Sequence, residues 1–227
     1  MISVLTWCYS RQDMLDITLP LILKQEGVEF EVIVGHGPDI VLPSHPKVRG
    51  VPTPVLSITK AYNIMMKEAK GDTLFITQCD MQINSPTQLK RMYDKLDGRN
   101  IVTEKFFKQG KRDPGVYLQC CMAKKADVEK VGGWHEGFDD INTCAYEDAD
   151  LVASLLESGL NIDHLETDAD EGVYHIDHPR PDYEHDPEIY KRLQAGKALF
   201  WSRHKEGIMS LYGKQVARGL MQRRINA

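Results

Sequence analysis

Short apolar segments of strand character alternate with segments of helical spacing along this chain, and this alternation constrains the fold most. Strands are predicted from apolar runs at residues 2–8, 30–34, 47–51, 73–77 and 116–122. Helical spacing and capping signals predict helices at residues 11–25, 59–70, 85–96, 126–131 and 147–158. The pattern indicates an α/β fold with a central, mostly parallel sheet flanked by helices. Ligands of such sheets bind beyond the carboxyl ends of the strands.

Length and cysteine usage limit the class of protein. At 227 residues the chain suits one domain with an ample core. No apolar run approaches the length of a membrane span, and the N-terminal residues lack the basic region and cleavage site of a signal peptide. The five cysteines are odd in number and lack CxxC spacing. We therefore expect buried thiols in a reducing, cytoplasmic compartment rather than a disulfide framework or a zinc site.

The net charge is distributed unevenly. Residues 188–227 contain nine Lys or Arg and two Glu, a charge of +7, so the total of −5 leaves −12 for the rest. Asp186 before Pro187 predicts the start of a terminal helix. We expect residues 1–185 to form one domain and residues 186–227 a basic helical extension packed on it. The acidic body argues against nucleic acid as a partner.

The basic extension leaves two alternatives open. Its residues suit a peripheral contact with an anionic membrane surface on the cytoplasmic side. Alternatively, it is a solvated amphipathic helix that packs through apolar residues, namely Ile189, Leu193, Leu199 and Phe200. The packing alternative is favoured for the first half of the extension, and the question stays open for the last fifteen residues, with Arg218, Arg223 and Arg224.

Residues 132–159, GGWHEGFDDINTCAYEDADLVASLLESG, place Glu147 and Asp148 on the first turn of a predicted helix that ends at Gly159. The positive end of a helix dipole stabilises nearby carboxylates, so we expect both to be ionised near neutral pH. A carboxylate held in this way can accept a proton from a substrate hydroxyl. The alternative is that these residues and Asp150 are ordinary first-turn acids. Asp150 is predicted to be only such a charge.

Two further segments carry candidate ligands for a metal ion. Asp80 follows the predicted strand 73–77, where a carboxylate is well placed to hold Mg2+ or Mn2+, and a turn aspartate is the alternative. In VYHIDHPR, residues 173–180, His175 and His178 lack the helical spacing of a zinc-protease motif. One imidazole that completes a site begun by a distant Asp is chemically reasonable, and a structural histidine is the alternative.

These three segments, in this order and after ISVLTWCYSR, resemble family 2 glycosyltransferases and their galactosyltransferase-like relatives, which have the Rossmann-like GT-A fold. KAYNIMMKEAKGDTLFITQCDM is similar to the family's donor-site segment that ends in a DxD motif. GGWHEGF and YEDADLVASLLESGL are similar to its GGFDExF and EDxDL segments, and VYHIDHPR to its late V-x-H segment. The resemblance spans roughly residues 2–180.

The resemblance implies transfer of a sugar from a nucleotide-sugar donor, of the UDP, GDP or dTDP type, to a glycan or lipid-linked acceptor. Asp148 matches the catalytic base of inverting members, Glu147 a contact to the acceptor or donor sugar, and Trp134 an acceptor contact. Asp80 and His175 match the site of a Mn2+ or Mg2+ ion. The positions that match or flank the donor site are Thr6, Tyr9, Arg11, Asp39, Lys60, Asn63, Gln78 and Cys79.

Two positions depart from the family's pattern. Gln78 replaces the first aspartate of DxD, so it adds no negative charge to a metal site. In GHGPD, Asp39 or His36 takes the place of the aspartate that usually follows the second strand. Gln78 motivates an alternative function, a nucleotide-sugar-binding protein of the same fold with impaired catalysis. A nucleotidyltransferase is disfavoured because TWCYSRQDM contains no glycine for a phosphate loop.

Overall fold

A central sheet of seven strands organises the molecule. The computed structural model describes residues 1–53, 57–104, 107–108, 111–112, 119–140, 146–165, 171–177, 186–208 and 210–215. The strands of the sheet are β1 (Ile2–Cys8), β2 (Phe30–His36), β3 (Val48–Pro52), β4 (Thr73–Gln78), β6 (Asn100–Glu104), β9 (Cys120–Lys124) and β10 (Asn161–Leu165). Their order is β10-β6-β9-β4-β1-β2-β3, and β9 alone runs antiparallel to its neighbours. The predicted mostly parallel α/β sheet is confirmed.

Helices cover both faces of this sheet. They are α1 (Gln12–Leu23), α2 (Ile58–Glu68), α3 (Gln88–Lys95), α4 (Lys125–Lys130), α5 (Gly137–Asp140), α6 (Glu147–Glu157) and α7 (Pro187–Arg203). The helices form two layers, and an apolar cluster lies between each layer and the sheet. One contains residues of α2, α4, α6 and α7, and the other contains residues of α1 and α3. Because alternate residues of β1 point to opposite faces, Leu5 belongs to the first cluster and Val4 to the second.

A second, smaller sheet lies after the central strand β4. Its strands are β5 (Met81–Ile83), β7 (Phe107–Lys108), β8 (Lys111–Arg112) and β11 (Val173–His175), in the order β5-β11-β7-β8. Strand β11 runs antiparallel to β5, and His175 pairs with Met81. Because β5 begins directly after Asp80, this pairing brings the late histidine segment to the carboxyl end of β4.

The sequence patterns missed two strands of the central sheet. Strand β6, with the sequence NIVTE, is buried along its whole length although three of its five residues are polar. Asn100 is held by bonds to the Lys95 carbonyl and to Asp163, and Glu104 accepts a bond from Gln88. Strand β10, NIDHL, is a partly exposed edge strand, so apolar residues do not mark it. Tertiary hydrogen bonds, not local composition, make these segments strands.

Several boundaries also differ from those predicted. The helix expected from Ser85 begins at Gln88, and Thr87 makes no side-chain capping bond. Strand β9 begins at Cys120, whereas the predicted segment started at 116, in a stretch outside the described residues. The prediction at Asp186 is confirmed, since its carboxylate accepts bonds from the Glu188 and Ile189 amides. The predicted boundary at residue 185 falls among residues 178–185, which are not described.

Candidate active site

Asp80 and His175 meet at the carboxyl edge of the central sheet. The amide of Ile176 donates to the Asp80 carbonyl at 2.8 Å, and His175 Nε2 lies 3.2 Å from Asp80 Oδ2. The two side chains are 15% and 4% exposed. The two residues that the resemblance implies as metal ligands are therefore adjacent in space, although they are far apart in the sequence. In the described part of the chain, no group of three or more His, Cys, Asp or Glu side chains is placed to hold a metal ion.

Gln78 ends β4, and Cys79 follows it, beside the end of β1. Gln78 pairs with Trp7, and the Cys79 amide donates to the Trp7 carbonyl at 3.4 Å. The thiol of Cys79 contacts that of Cys8, which also donates to the Arg11 carbonyl at 3.2 Å. The contact between the two thiols lowers the pKa of Cys8 and raises that of Cys79. The two cysteines are thus free thiols in contact at the ends of β1 and β4.

The loops after β1 and β2 approach each other at the same edge. Thr6 is buried within β1, and its hydroxyl has no hydrogen-bond partner among the described residues. Arg11 forms an ion pair with Asp13, at 2.8 Å, at the start of α1. A Cβ atom on Gly37 would lie 2.1 Å from the Tyr9 carbonyl oxygen, so this close approach requires glycine. Asp39 is exposed in the same loop, and the donor roles of these side chains stay predictions.

Asn63 binds the turn that precedes the acidic segment. Its side-chain amide donates to the Trp134 carbonyl at 2.8 Å and to Glu136 at 3.0 Å, and its oxygen accepts from the Trp134 amide at 2.9 Å. Gly133 has φ +70°, and a Cβ there would lie 2.6 Å from the Asn63 oxygen. Asn63 therefore holds this turn through three hydrogen bonds, and its predicted contact with the donor stays a prediction.

A carboxylate that the sequence reasoning missed caps α2. Asp139, in α5, accepts hydrogen bonds from the hydroxyl groups of Ser57 and Thr59 and from the Lys60 amide at 3.0 Å. Ser57, the residue before α2, makes no side-chain capping bond to the helix, and its hydroxyl group donates to Asp139. The position of Asp139 in GGWHEGFDD, just after a tight glycine turn, was the available signal. Its cap joins the start of α2, with Lys60, to the acidic segment.

One small pocket brings the remaining site residues together. Its lining consists of Ile58, Tyr62, Ile76, Gln78, Trp134, Glu147 and Asp148. The Trp134 ring stacks on the Tyr62 ring at a centroid distance of 4.8 Å, and the Tyr62 hydroxyl donates to the Thr77 carbonyl. The structure therefore places the end of β4, the aromatic wall and the two carboxylates around one space.

Glu147 differs from the expectation of two ionised carboxylates. Burial, together with the nearby charge of Asp148, raises the pKa of Glu147 to about 8. Its Oε2 atom is buried and has no hydrogen-bond partner among the described residues. Desolvation therefore outweighs the helix dipole at this position, and Glu147 is protonated at neutral pH. This corrects the prediction that both acids are ionised.

Asp150 is not the simple first-turn charge that was predicted. Its side chain is 1% exposed and accepts from Arg203 Nε at 2.6 Å and lies 2.8 Å from His204 Nε2. Both partners come from the end of α7, which the sequence did not associate with α6. Residues 104–117, in which aromatic residues alternate with charged ones, suit an acceptor-side or lid loop and equally a solvated surface loop. They lie mostly outside the described residues, as do His178, Arg218, Arg223 and Arg224.

Comparisons with known proteins place this geometry among glycosyltransferase folds. No protein-family model matches the sequence, and no curated protein matches it. The structure is similar to that of TarS residues 1–349 from S. aureus in complex with UDP-GlcNAc, with a TM-score of 0.68 and 14% identity over 95% of this chain and 71% of that one. The UDP complex of the same protein gives a TM-score of 0.65 with 15% identity, covering 96% and 71% of the two chains.

A TarS structure of greater length gives a TM-score of 0.61 and 16% identity, and the chain covers 43% of it. Identities this low establish the fold and not the family. No helix in the described part of the chain is long and apolar enough to cross a membrane. Because of its structural likeness to TarS, the chain has a glycosyltransferase-like fold, with a central, mostly parallel sheet between helices.

Proposed function

We propose that this protein is a glycosyltransferase that moves a sugar from a nucleotide-sugar donor to an acceptor hydroxyl, with inversion. The observation that carries the proposal is the pocket that Gln78, Trp134, Glu147 and Asp148 line together. The likeness to TarS, whose structures contain UDP-GlcNAc and UDP, supports a UDP-type donor. A glycan or lipid-linked acceptor remains a prediction from the sequence.

Asp148 is the proposed catalytic base. Since Glu147 is protonated near neutral pH, Asp148 carries the negative charge of the pair, and its charge is one cause of the raised pKa of Glu147. When two neighbouring acids have different pKa values, the ionised acid can accept a proton and the protonated acid can donate one. Asp148 would accept the proton of the acceptor hydroxyl while the oxygen of that hydroxyl forms a bond to the anomeric carbon. The bond from that carbon to the diphosphate breaks on the opposite face, which inverts the configuration.

Asp80 and His175 would hold a divalent cation on the donor side. Their carboxylate oxygen and imidazole nitrogen suit Mn2+ better than Mg2+, because Mg2+ prefers oxygen ligands alone. When bound, such an ion would neutralise charge on the diphosphate leaving group. Gln78 contributes a neutral amide, which suits a hydrogen bond to a ribose hydroxyl.

Replacing Asp148 by asparagine tests the proposal. We expect Asp148→Asn to abolish turnover of a UDP-sugar while changing its dissociation constant, measured by calorimetry, by less than about twofold, since the amide retains the shape but not the basicity. The exposed Glu129→Gln variant is the matched control and should retain full activity. Full activity of Asp148→Asn would remove Asp148 from this role.

Gln78 also supports the second candidate, a nucleotide-sugar-binding protein with impaired catalysis. The wild-type protein distinguishes the two functions. If it binds UDP-sugars with or without Mn2+ but produces neither glycosylated acceptor nor hydrolysed donor, the binding function is correct. Turnover that depends on Asp148 establishes the enzyme.

A further inference from the structure

We infer that the C-terminal helix α7 positions the catalytic turn of α6, with Arg203, His204 and Phe200 as positioning residues. The inference rests on the proposed function, because it concerns the orientation of Asp148 as the base. It assigns the basic extension a role that its charge pattern did not predict. Helix α7 contacts the chain on both sides of Glu147 and Asp148.

On the C-terminal side of the pair, Asp150 is bound by Arg203, the last residue of α7, and by His204, which follows it. The Arg203 guanidinium approaches both carboxylate oxygens, with Nε at 2.6 Å and Nη2 at 3.3 Å. The His204 ring contacts Asp150 through Nε2 at 2.8 Å and Glu157 through Nδ1 at 3.0 Å. Asp150 and Glu157 are two helical turns apart on one face of α6. The imidazole therefore spans two turns and fixes the rotation of α6 about its axis.

On the N-terminal side of the pair, Tyr146 begins α6 in a left-handed conformation, with φ +80°. Among the described residues it is the only non-glycine residue with positive φ. Its ring packs against Phe200 of α7, at a centroid distance of 5.8 Å, and Phe200 also contacts the His204 ring at 4.9 Å. A left-handed tyrosine persists only where its surroundings hold it. Phe200 is buried and supplies that contact.

The two contacts limit the movement of the residues between them. The Asp150 amide donates to the Tyr146 carbonyl at 2.8 Å, so the turn from Tyr146 to Asp150 is one hydrogen-bonded unit. Buried ion pairs contribute little net stability relative to apolar residues of similar volume, but they specify geometry. Catalysis is sensitive to such geometry, since a displacement of about 1 Å can cost about 100-fold in rate. The network therefore acts on the orientation of Asp148.

Arg203→Gln tests this positioning role. We expect kcat to fall by about 10- to 100-fold, while the dissociation constant of UDP changes by less than about twofold, because the donor-side residues are not in this network. Arg203→Lys, which retains the charge but not the paired geometry, should recover part of kcat. Lys197→Gln, at an exposed position of the same helix, is the matched control and should behave as wild type.

A second measurement reports on the turn directly. Amide hydrogen exchange should become faster at residues 146–150 in Arg203→Gln and stay unchanged in β1 and β4. If Arg203→Gln does not fold, Phe200→Leu replaces it, with the same expectations. A folded variant with wild-type kcat, or one in which kcat and UDP affinity fall equally, would overturn the inference. A wild-type protein without turnover would instead refute the proposed function, so the two failures are distinguishable.

Discussion

Replacing Glu147 by glutamine tests whether burial keeps this acid protonated. Glutamine has nearly the shape of a protonated glutamic acid but cannot ionise. The pKa of Glu147 is about 8 in the folded protein, against 4.5 for an ordinary glutamic acid, chiefly because of burial and then because of the charge of Asp148. Between these two values the folded state holds a proton that the unfolded state has released. The free energy of unfolding of the wild type therefore falls as the pH rises through this window.

The size of the effect follows from the width of the window. A slope of about 1.4 kcal/mol per pH unit across about 3.5 units gives an upper limit of about 5 kcal/mol. We expect about 2–4 kcal/mol, because Glu147 lines a pocket and its titration is coupled to that of Asp148. The contribution is complete below the lower pKa and is lost above the higher one. Glu147→Gln removes this dependence. The free energy of unfolding of the variant, minus that of the wild type, should therefore be larger at about pH 9 than at about pH 5.

Denaturant unfolding at a series of pH values measures this difference. The two proteins share every other titrating group, so subtracting the curves leaves the titration of Glu147 together with its coupling to Asp148. Glu129→Gln serves as the control, because Glu129 is exposed and its substitution should leave the pH dependence unchanged. A difference between wild type and Glu147→Gln that stays constant from about pH 5 to about pH 9 would refute the raised pKa.

Three further predictions concern the walls of the site. Gly133→Ala should lower the free energy of unfolding by about 2–4 kcal/mol, because the added Cβ meets the Asn63 oxygen at 2.6 Å. Gly132 also has positive φ, but a Cβ there meets nothing within 4 Å, so Gly132→Ala should cost only about 1 kcal/mol. Asp139→Asn should cost about 1–2 kcal/mol, since the cap of α2 loses a charged acceptor, and equal stability would contradict the cap. Adding Mn2+ should raise the affinity for UDP by about tenfold in calorimetry, and His175→Ala should abolish that gain; an identical gain in the variant would place the ion elsewhere.

Sequence periodicity predicted the parts of this molecule that depend on local apolar patterns. Strand β1 and the start of α7 at Asp186 were located in this way, because apolar alternation and capping chemistry are properties of neighbouring residues. Strand β10 was missed because its polar residues become a strand only by pairing with β6. The same reason explains why Asp150 was misassigned, since nothing near it in the sequence indicates the approach of Arg203.

The candidate site shows the same division between local and distant effects. The resemblance implied that Asp80 and His175 share one site, and the structure places their side chains 3.2 Å apart. Their role as metal ligands stays a prediction. The charge state of Glu147 was not predictable, because helix position favours ionisation while burial, a tertiary property, opposes it more strongly.

Neutral side chains at two positions have a common electrostatic consequence for the proposed reaction. A nucleotide diphosphate is anionic, so each ionised carboxylate in the pocket repels it, and Coulomb energies are larger in a pocket than in water. Gln78 carries no charge, and Glu147 is protonated near neutral pH. In the proposed mechanism, Asp148 then supplies the charged carboxylate of the pocket, while the charge of Asp80 lies beside His175. It follows that affinity for UDP should fall as the pH rises past about 8, and that Glu147→Gln should bind UDP with little dependence on pH in this range.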